Sequence, residues 1–321
     1  MSVLDHKIPR VENTALEERL RDHPGDLGSW RLYGDRLTER GDARGRLIDL
    51  ELRRARLSPA HRDALERESA ALVEKHQESW DAALPAGVTV LERRYGFATK
   101  VAVEWAEGAP VLIEQALRAP FVTALRIAPT SGENWDEEDF DDEPSSTPSL
   151  SYEAGALATL NLGRLVELDL SYLRMGALGA EAVAVSTYLR VGAAEVKALA
   201  GSAAQERIET LDLRYCRVGD AGLAALAASP SFGGVRRLHL QSNVLSAKCV
   251  SSLHRFEKLA ELDLRYNSIG EEGVRALLAA PFIGSLKRLL LYRADVGEDG
   301  AKMLAQAPQL PPALRSYWRS Q

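Results

Sequence analysis

The sequence predicts an α/β fold: strand-turn-helix units stacked into a curved solenoid with a concave parallel sheet and convex helices, capped at its N-terminal end by a helical bundle. Three observations carry that expectation. Four segments align with one another, IETLDLRYCRVGDAGLAAL from Ile208, VRRLHLQSNVLSAKCVSSL from Val235, LAELDLRYNSIGEEGVRAL from Leu259 and LKRLLLYRADVGEDGAKML from Leu286, with starts 27, 24 and 27 residues apart. Within each unit leucines first alternate and then recur at i, i+3, so the pattern passes from strand to helix. Residues 12 to 80, by contrast, hold helix signals and no strand pattern.

In chain order, residues 1–90 form the expected helical cap. NTALEERLRDHPGD offers Asn13 or Thr14 as a cap, glutamates in the first turn and a Pro-Gly stop. LGSWRLYGDRLTERGD sets Trp30, Tyr33 and Leu37 on one face before Gly41, ARGRLIDLELRRARLSP runs to Pro59, and PAHRDALERESAALVEKHQESW opens on proline, as helices often do. Arg93 to Trp105, RRYGFATKVAVEW, reads as a junction strand. The array then occupies 91–310, with an acidic insertion at 131–149. Residues 311–321 close it, their two prolines breaking the pattern and Tyr317 and Trp318 supplying a cap.

Each position of the repeat has a physical reason. In LxL the leucines share one strand face while the residue between them faces outward. Asn243, Asn267 and Cys216 sit where the chain turns inward and can hydrogen-bond the neighbouring turn. The first glycine of VGDAG, IGEEG or VGEDG permits the turn into the helix, and Asp220, Glu271 and Glu298 fall near the positive end of the helix dipole. No such unit buries its apolar face alone, so units must stack. A fifth copy starts at Leu165, 43 residues before Ile208, with STYLRVGAAEVKALA keeping the turn and helix of a missing unit; an irregular turn is expected there. VTALRIA at Val122 reads as a sixth, interrupted by the acidic stretch.

This pattern resembles the leucine-rich repeat family over residues 95 to 310, closest to its ribonuclease-inhibitor-like branch. The N-terminal segment resembles the repeat-companion domain found in myxobacterial and planctomycete proteins. Pro24, Tyr33, Asp35, Leu37, Glu39, Arg40, Gly41, Asp42, Arg44, Gly45 and Ile48 match its hallmark, while Arg36 stands where that family carries tryptophan. The second resemblance implies architecture and no established activity.

Composition narrows the function classes. Hydrophobic residues make up 45% of the chain, enough for a sizeable core, and the formal charge is −6. Gly132–Pro144 alone holds eight carboxylates and no base, so the rest sums to +2, which implies no nucleic-acid partner. Cys216 and Cys249 suit reduced thiols and a cytoplasmic setting, and no apolar run is long enough for a membrane span. The six histidines form no HExxH, the GxxG turns lack a P-loop lysine, and there is no GxSxG elbow. No enzyme, cofactor or metal is therefore expected.

Outward strand residues stack into columns: Asp169, Asp212, His239, Asp263 and Leu290; then Ser171, Arg214, Gln241, Arg265 and Tyr292; then Tyr172, Tyr215, Ser242, Tyr266 and Arg293. Tyrosine and arginine are enriched at binding hot spots, whereas the structural alternative is that aspartate and arginine merely pair and solvate the sheet. In the acidic stretch, Trp135, Asp136, Glu137, Glu138, Asp139, Phe140, Asp141, Asp142 and Glu143 lack the central glycine of a calcium loop. They read as a movable arm toward a basic surface, with Trp135 and Phe140 open to two roles, anchoring a partner or folding back on the solenoid. The expected function is protein binding through the concave face. A second reading, regulation of a small Ras-like GTPase, rests on analogy with the GTPase-activating protein of Ran, which uses this branch of repeat.

Overall fold

The computed structural model describes residues 10–130, 154–186 and 207–320. The chain divides into two compact units, Met1–Val101 with Gln115–Thr123, and Ala102–Glu114 with Ala124–Gln321.

The first unit opens with helices α1 (Arg10–Asp22), α2 (Leu27–Glu39), α3 (Ala43–Arg54) and α4 (Asp63–Asp81). Helix α1 starts upstream of the expected Asn13 or Thr14 cap, because no breaker stands between Pro9 and Thr14. Helix α3 stops at Arg54 rather than running to Pro59. Ser58 is held extended by the following proline, and a single 3-10 turn, Pro59–His61, leads to α4.

The α2–α3 corner explains the residues GDARG. Gly41 adopts φ 74°, which a side chain disfavours, and Asp42 caps α3 by accepting the Arg44 amide at 3.0 Å. Asp42 also holds the Arg44 guanidinium at 2.6 Å, placing it 4.3 Å from the Phe97 ring centroid. A Cβ on Gly45 would land on the Thr38 side chain and the Gly34 carbonyl, so glycine sets the distance between the two helices. Trp30, Tyr33 and Leu37 are buried as their spacing predicts, and with Phe97 and Phe121 they make an aromatic core. Trp30 lies 5.0 Å from Phe121 and 4.7 Å from Tyr95.

The expected junction strand is instead a hairpin. β1 (Val88–Arg94) and β2 (Phe97–Glu104) are joined by Tyr95 and Gly96 at φ 50° and 81°, the left-handed pair that a two-residue turn requires. β2 carries the chain out of the first unit after Val101, and α5 (Ala109–Ala116) follows it.

In the second unit, strands β3 (Ala124–Ala128), β4 (Glu167–Asp169), β5 (Thr210–Asp212), β6 (Arg237–His239), β7 (Glu261–Asp263) and β8 (Arg288–Leu290) pair parallel in chain order. Their register aligns Leu125, Leu168, Leu211, Leu238, Leu262 and Leu289, all buried. The segment at Val122 is thus a strand in register with the repeats.

Helices α6 (Ala154–Ala158), α7 (Gly176–Ser186), α8 (Gly219–Ala228), a 3-10 helix at Ala247–Arg255, α9 (Gly270–Leu278) and α10 (Arg293–Gln306) pack each against the next. The 3-10 helix belongs to the 24-residue unit, because a 3-10 helix rises about 2.0 Å per residue against about 1.5 Å for an α-helix and fewer residues cover the distance. Cys249 also stands there where other units have their second glycine. A Cβ at Gly222 would meet Ala180 Cβ at 2.9 Å and Ala177 Cα at 3.1 Å, so that glycine is what lets α8 approach α7.

Helix α11 (Pro312–Ser320) ends the chain, burying Trp318 and leaving Tyr317 exposed. No helix among the described residues is long and apolar enough to cross a membrane.

Candidate interaction surface

The turns between strand and helix hold the unit's shape. Asn267 donates to the carbonyls of Leu240 at 2.9 Å and Leu264 at 3.0 Å, and accepts the Asn243 and Leu245 amides at 3.0 Å each. Asn243 does the same one unit earlier, donating to Leu213 O at 2.7 Å and accepting from Val218 N at 3.1 Å. The Cys216 thiol donates to Leu170 O at 2.9 Å, and burial keeps it protonated by pushing its pKa far up. For Cys249 burial raises the thiol to about 12. Both thiols are therefore structural groups with little nucleophilic character.

On the other side of the strands, the first column stands in register as expected: Asp169, Asp212, His239, Asp263 and Leu290 are successive partners. Arg126 extends it at β3. The aspartates do not pair with arginines across strands in the main. Asp212 binds Arg214 two residues on, through Nε at 2.9 Å and Nη2 at 2.7 Å, and Asp263 binds Arg265 at the same two distances. Each carboxylate also accepts the backbone amide two residues later, Asp169 from Ser171 at 3.0 Å, Asp212 from Arg214 at 3.1 Å and Asp263 from Arg265 at 3.2 Å. Among the described residues, Asp169 does pair across strands, with Arg126 at 3.8 Å. For Arg265 the Asp263 hydrogen bond is the main reason that the guanidinium is held above its ordinary range.

The second and third columns merge into one chain of contacts. Tyr172 and Tyr215 stack at 4.8 Å with 12° between their planes. The Tyr215 hydroxyl accepts from Gln241 Nε2 at 2.5 Å, Gln241 Oε1 accepts from Arg265 Nη2 at 3.2 Å, and Arg265 lies 5.8 Å from the Tyr292 centroid. Tyr292 meets Tyr266 edge-on at 5.1 Å. Tyr172, Tyr215, Ser242 and Tyr266 all have positive φ, between 53° and 70°, so the same backbone turn recurs after each of these strands. Arg293 departs from this column: it opens a helical turn that is broken from the rest of α10 at Gly297 (φ 73°, ψ 174°), and its guanidinium binds Glu298 at 2.6 Å.

Sequence reasoning missed one row. Two residues before the first column, Glu167, Thr210, Arg237, Glu261 and Arg288 align in register on the same outward face. The period-two rule that placed Asp169 also places Glu167, so the signal was present. The acidic arm, Trp135 to Glu143, lies outside the described residues; of the irregular segment expected over 175–207, Gly176–Ser186 is the helix α7, and residues 187–206 lie outside the described residues. No group of three or more metal-ligating side chains occurs among the described residues.

The family model for the leucine-rich repeat matches residues 208–227 and 257–278, two of the units just described. A search of curated proteins finds no match to this chain.

Proposed function

We propose that the second unit is a non-enzymatic binding module that takes a protein partner on the outward face of β4–β8. Leucine-rich repeats generally mediate protein-protein interaction, and the observation that favours this face is its unbroken ladder from Tyr172 through Tyr215, Gln241 and Arg265 to Tyr292 and Tyr266. Tyr266 is 58% exposed although its ring is already fixed by a neighbour, and a pre-ordered aromatic loses little entropy when a partner covers it. We read the array as the ribonuclease-inhibitor-like branch, supported by α-helices after β4, β5 and β7 and by the Asn and Cys turns. The first unit is read as a repeat-companion domain, and the protein as cytoplasmic. Affinity capture from native lysate with wild type beside Tyr215→Ala/Tyr266→Ala tests the face. Partners lost from the variant are expected; an identical partner set removes the face from consideration.

A further inference from the structure

The sequence presents this face as an even mixture of acid and base, but the fold treats the two signs differently. In the three aspartate-arginine pairs the aspartate side chains are 10%, 13% and 3% exposed, at Asp169, Asp212 and Asp263, while Arg126, Arg214 and Arg265 are 39%, 39% and 29% exposed. The carboxylates sink because their oxygens are committed to backbone amides and to the guanidinium above them. An arginine bound by one carboxylate still has N–H donors to offer, since the group carries five. Arg237 and Arg288 are exposed and flank Glu261 in register. What a partner meets is therefore rich in donors, guanidinium groups and tyrosines: the three aspartates are committed inside the face, and Glu167 and Glu261 stand half-buried in the row that holds the more exposed Arg237 and Arg288.

We propose that the face takes an acidic, extended polypeptide segment, its carboxylates received by Arg214, Arg237, Arg265 and Arg288 and its apolar groups by Tyr215, Tyr266 and Tyr292. This rests on the reading of the face as a binding surface and adds the chemistry of what binds. Carboxylate on guanidinium makes charge-assisted, often bidentate hydrogen bonds. Five strands at ~4.8 Å spacing span about 20 Å, which an extended segment of about six residues crosses and one of about eight overlaps at both ends. The formal charges of the face nearly cancel, so recognition depends on short-range donor geometry more than on a long-range field.

The test titrates the full chain with fluorescein-labelled peptides of about eight residues, one alternating glutamate with tyrosine and glycine, one with every glutamate replaced by glutamine, and one with lysine instead. Single-stranded RNA spanning a similar length is the fourth probe. Expected are binding of the glutamate peptide, a Kd at least about tenfold weaker for the glutamine and lysine peptides, and a similar loss in Arg237→Gln/Arg288→Gln. Both positions are exposed, and circular dichroism verifies that the variant is folded. Equal binding of the glutamine peptide, preference for lysine, tighter binding of RNA, or no loss in the arginine variant overturns the proposal. If the tyrosine variant still loses its captured partners while no acidic peptide binds, the face stands as an interface and only its acidic preference falls.

Discussion

The two units bury their cores by opposite strategies. In the first, one knot of aromatic residues, Trp30, Tyr33, Phe97 and Phe121, is assembled from α2, β2 and the segment after α5, at positions that no sequence pattern repeats. In the second, the same leucine positions recur at every strand, and Cys216, Asn243 and Asn267 at three successive turns each divide their hydrogen bonds between their own unit and the one before. The contrast teaches where damage goes: a single substitution in the knot has nothing equivalent to lean on, whereas one in the ladder is felt by two adjacent units and little beyond them.

The largest expected effect is therefore Trp30→Ala. Its ring touches Tyr33, Tyr95 and Phe121, and its indole N–H donates to Pro24 O at 3.0 Å. Removing a buried tryptophan costs about 3–5 kcal/mol. Hydrogen exchange followed by mass spectrometry is expected to show lost protection over α1–α3, with β5–β8 retaining theirs; uniform loss across both units would erase the contrast.

Asn267→Ala comes next. It strands the Leu240 and Leu264 carbonyls and the Asn243 and Leu245 amides, all in buried turns, for about 2–4 kcal/mol. Protection should fall together in the β6 and β7 turns, reported by the same exchange measurement. Cys216→Ala, which deletes a single thiol donor shared between the Leu170 carbonyl at 2.9 Å and the Arg214 carbonyl at 3.5 Å, should cost about 1 kcal/mol in chemical denaturation. A larger loss for cysteine than for asparagine would refute the idea that shared hydrogen bonds set the order.

The sequence was most legible where a pattern repeats or a single residue is forced. The register of Asp169, Asp212, His239 and Asp263 followed from leucine spacing alone, because a shift of one residue would expose every leucine. Gly41 and Asp42 announced the α2–α3 corner through backbone requirements that few other residues meet. What stayed hidden depends on contacts between distant residues. The hairpin turn at Tyr95 and Gly96 lay inside an apparently continuous strand, and Tyr95 in the left-handed region carries no marking in sequence. The sinking of Asp212 and Asp263 beneath their arginines could not be read either, since alternation says which face a residue occupies and nothing of its depth.

The smallest effect sharpens the contrast with two carboxylates. Asp26 acts within the first unit: it caps α2 by accepting the Ser29 amide at 3.1 Å and hydroxyl at 2.8 Å, and it accepts the Arg19 guanidinium of α1 at 2.9 Å, bonds that together lower its pKa to about 2. Asp220 acts between repeat units. Burial pushes its carboxyl up, but the Ser246 hydroxyl at 2.6 Å and amide at 2.8 Å outweigh that and leave it below the ordinary aspartate range. In both cases the folded pKa lies below the unfolded one, so the stabilisation is complete above the ordinary aspartate value near 3.8 and is lost as pH falls through the folded pKa. For Asp26 that window runs from about 4 down to about 2. Acid titration of Asp26→Asn and Asp220→Asn, read by amide exchange, should remove this pH dependence at the start of α2 and around Arg19 of α1 in the first variant. In the second it should vanish both at α8 and at the turn before Ala247, where Ser246 waits on a residue of the preceding unit. A response confined to α8 would make Asp220 local to its own repeat unit and leave the asparagines as the carriers of coupling between units.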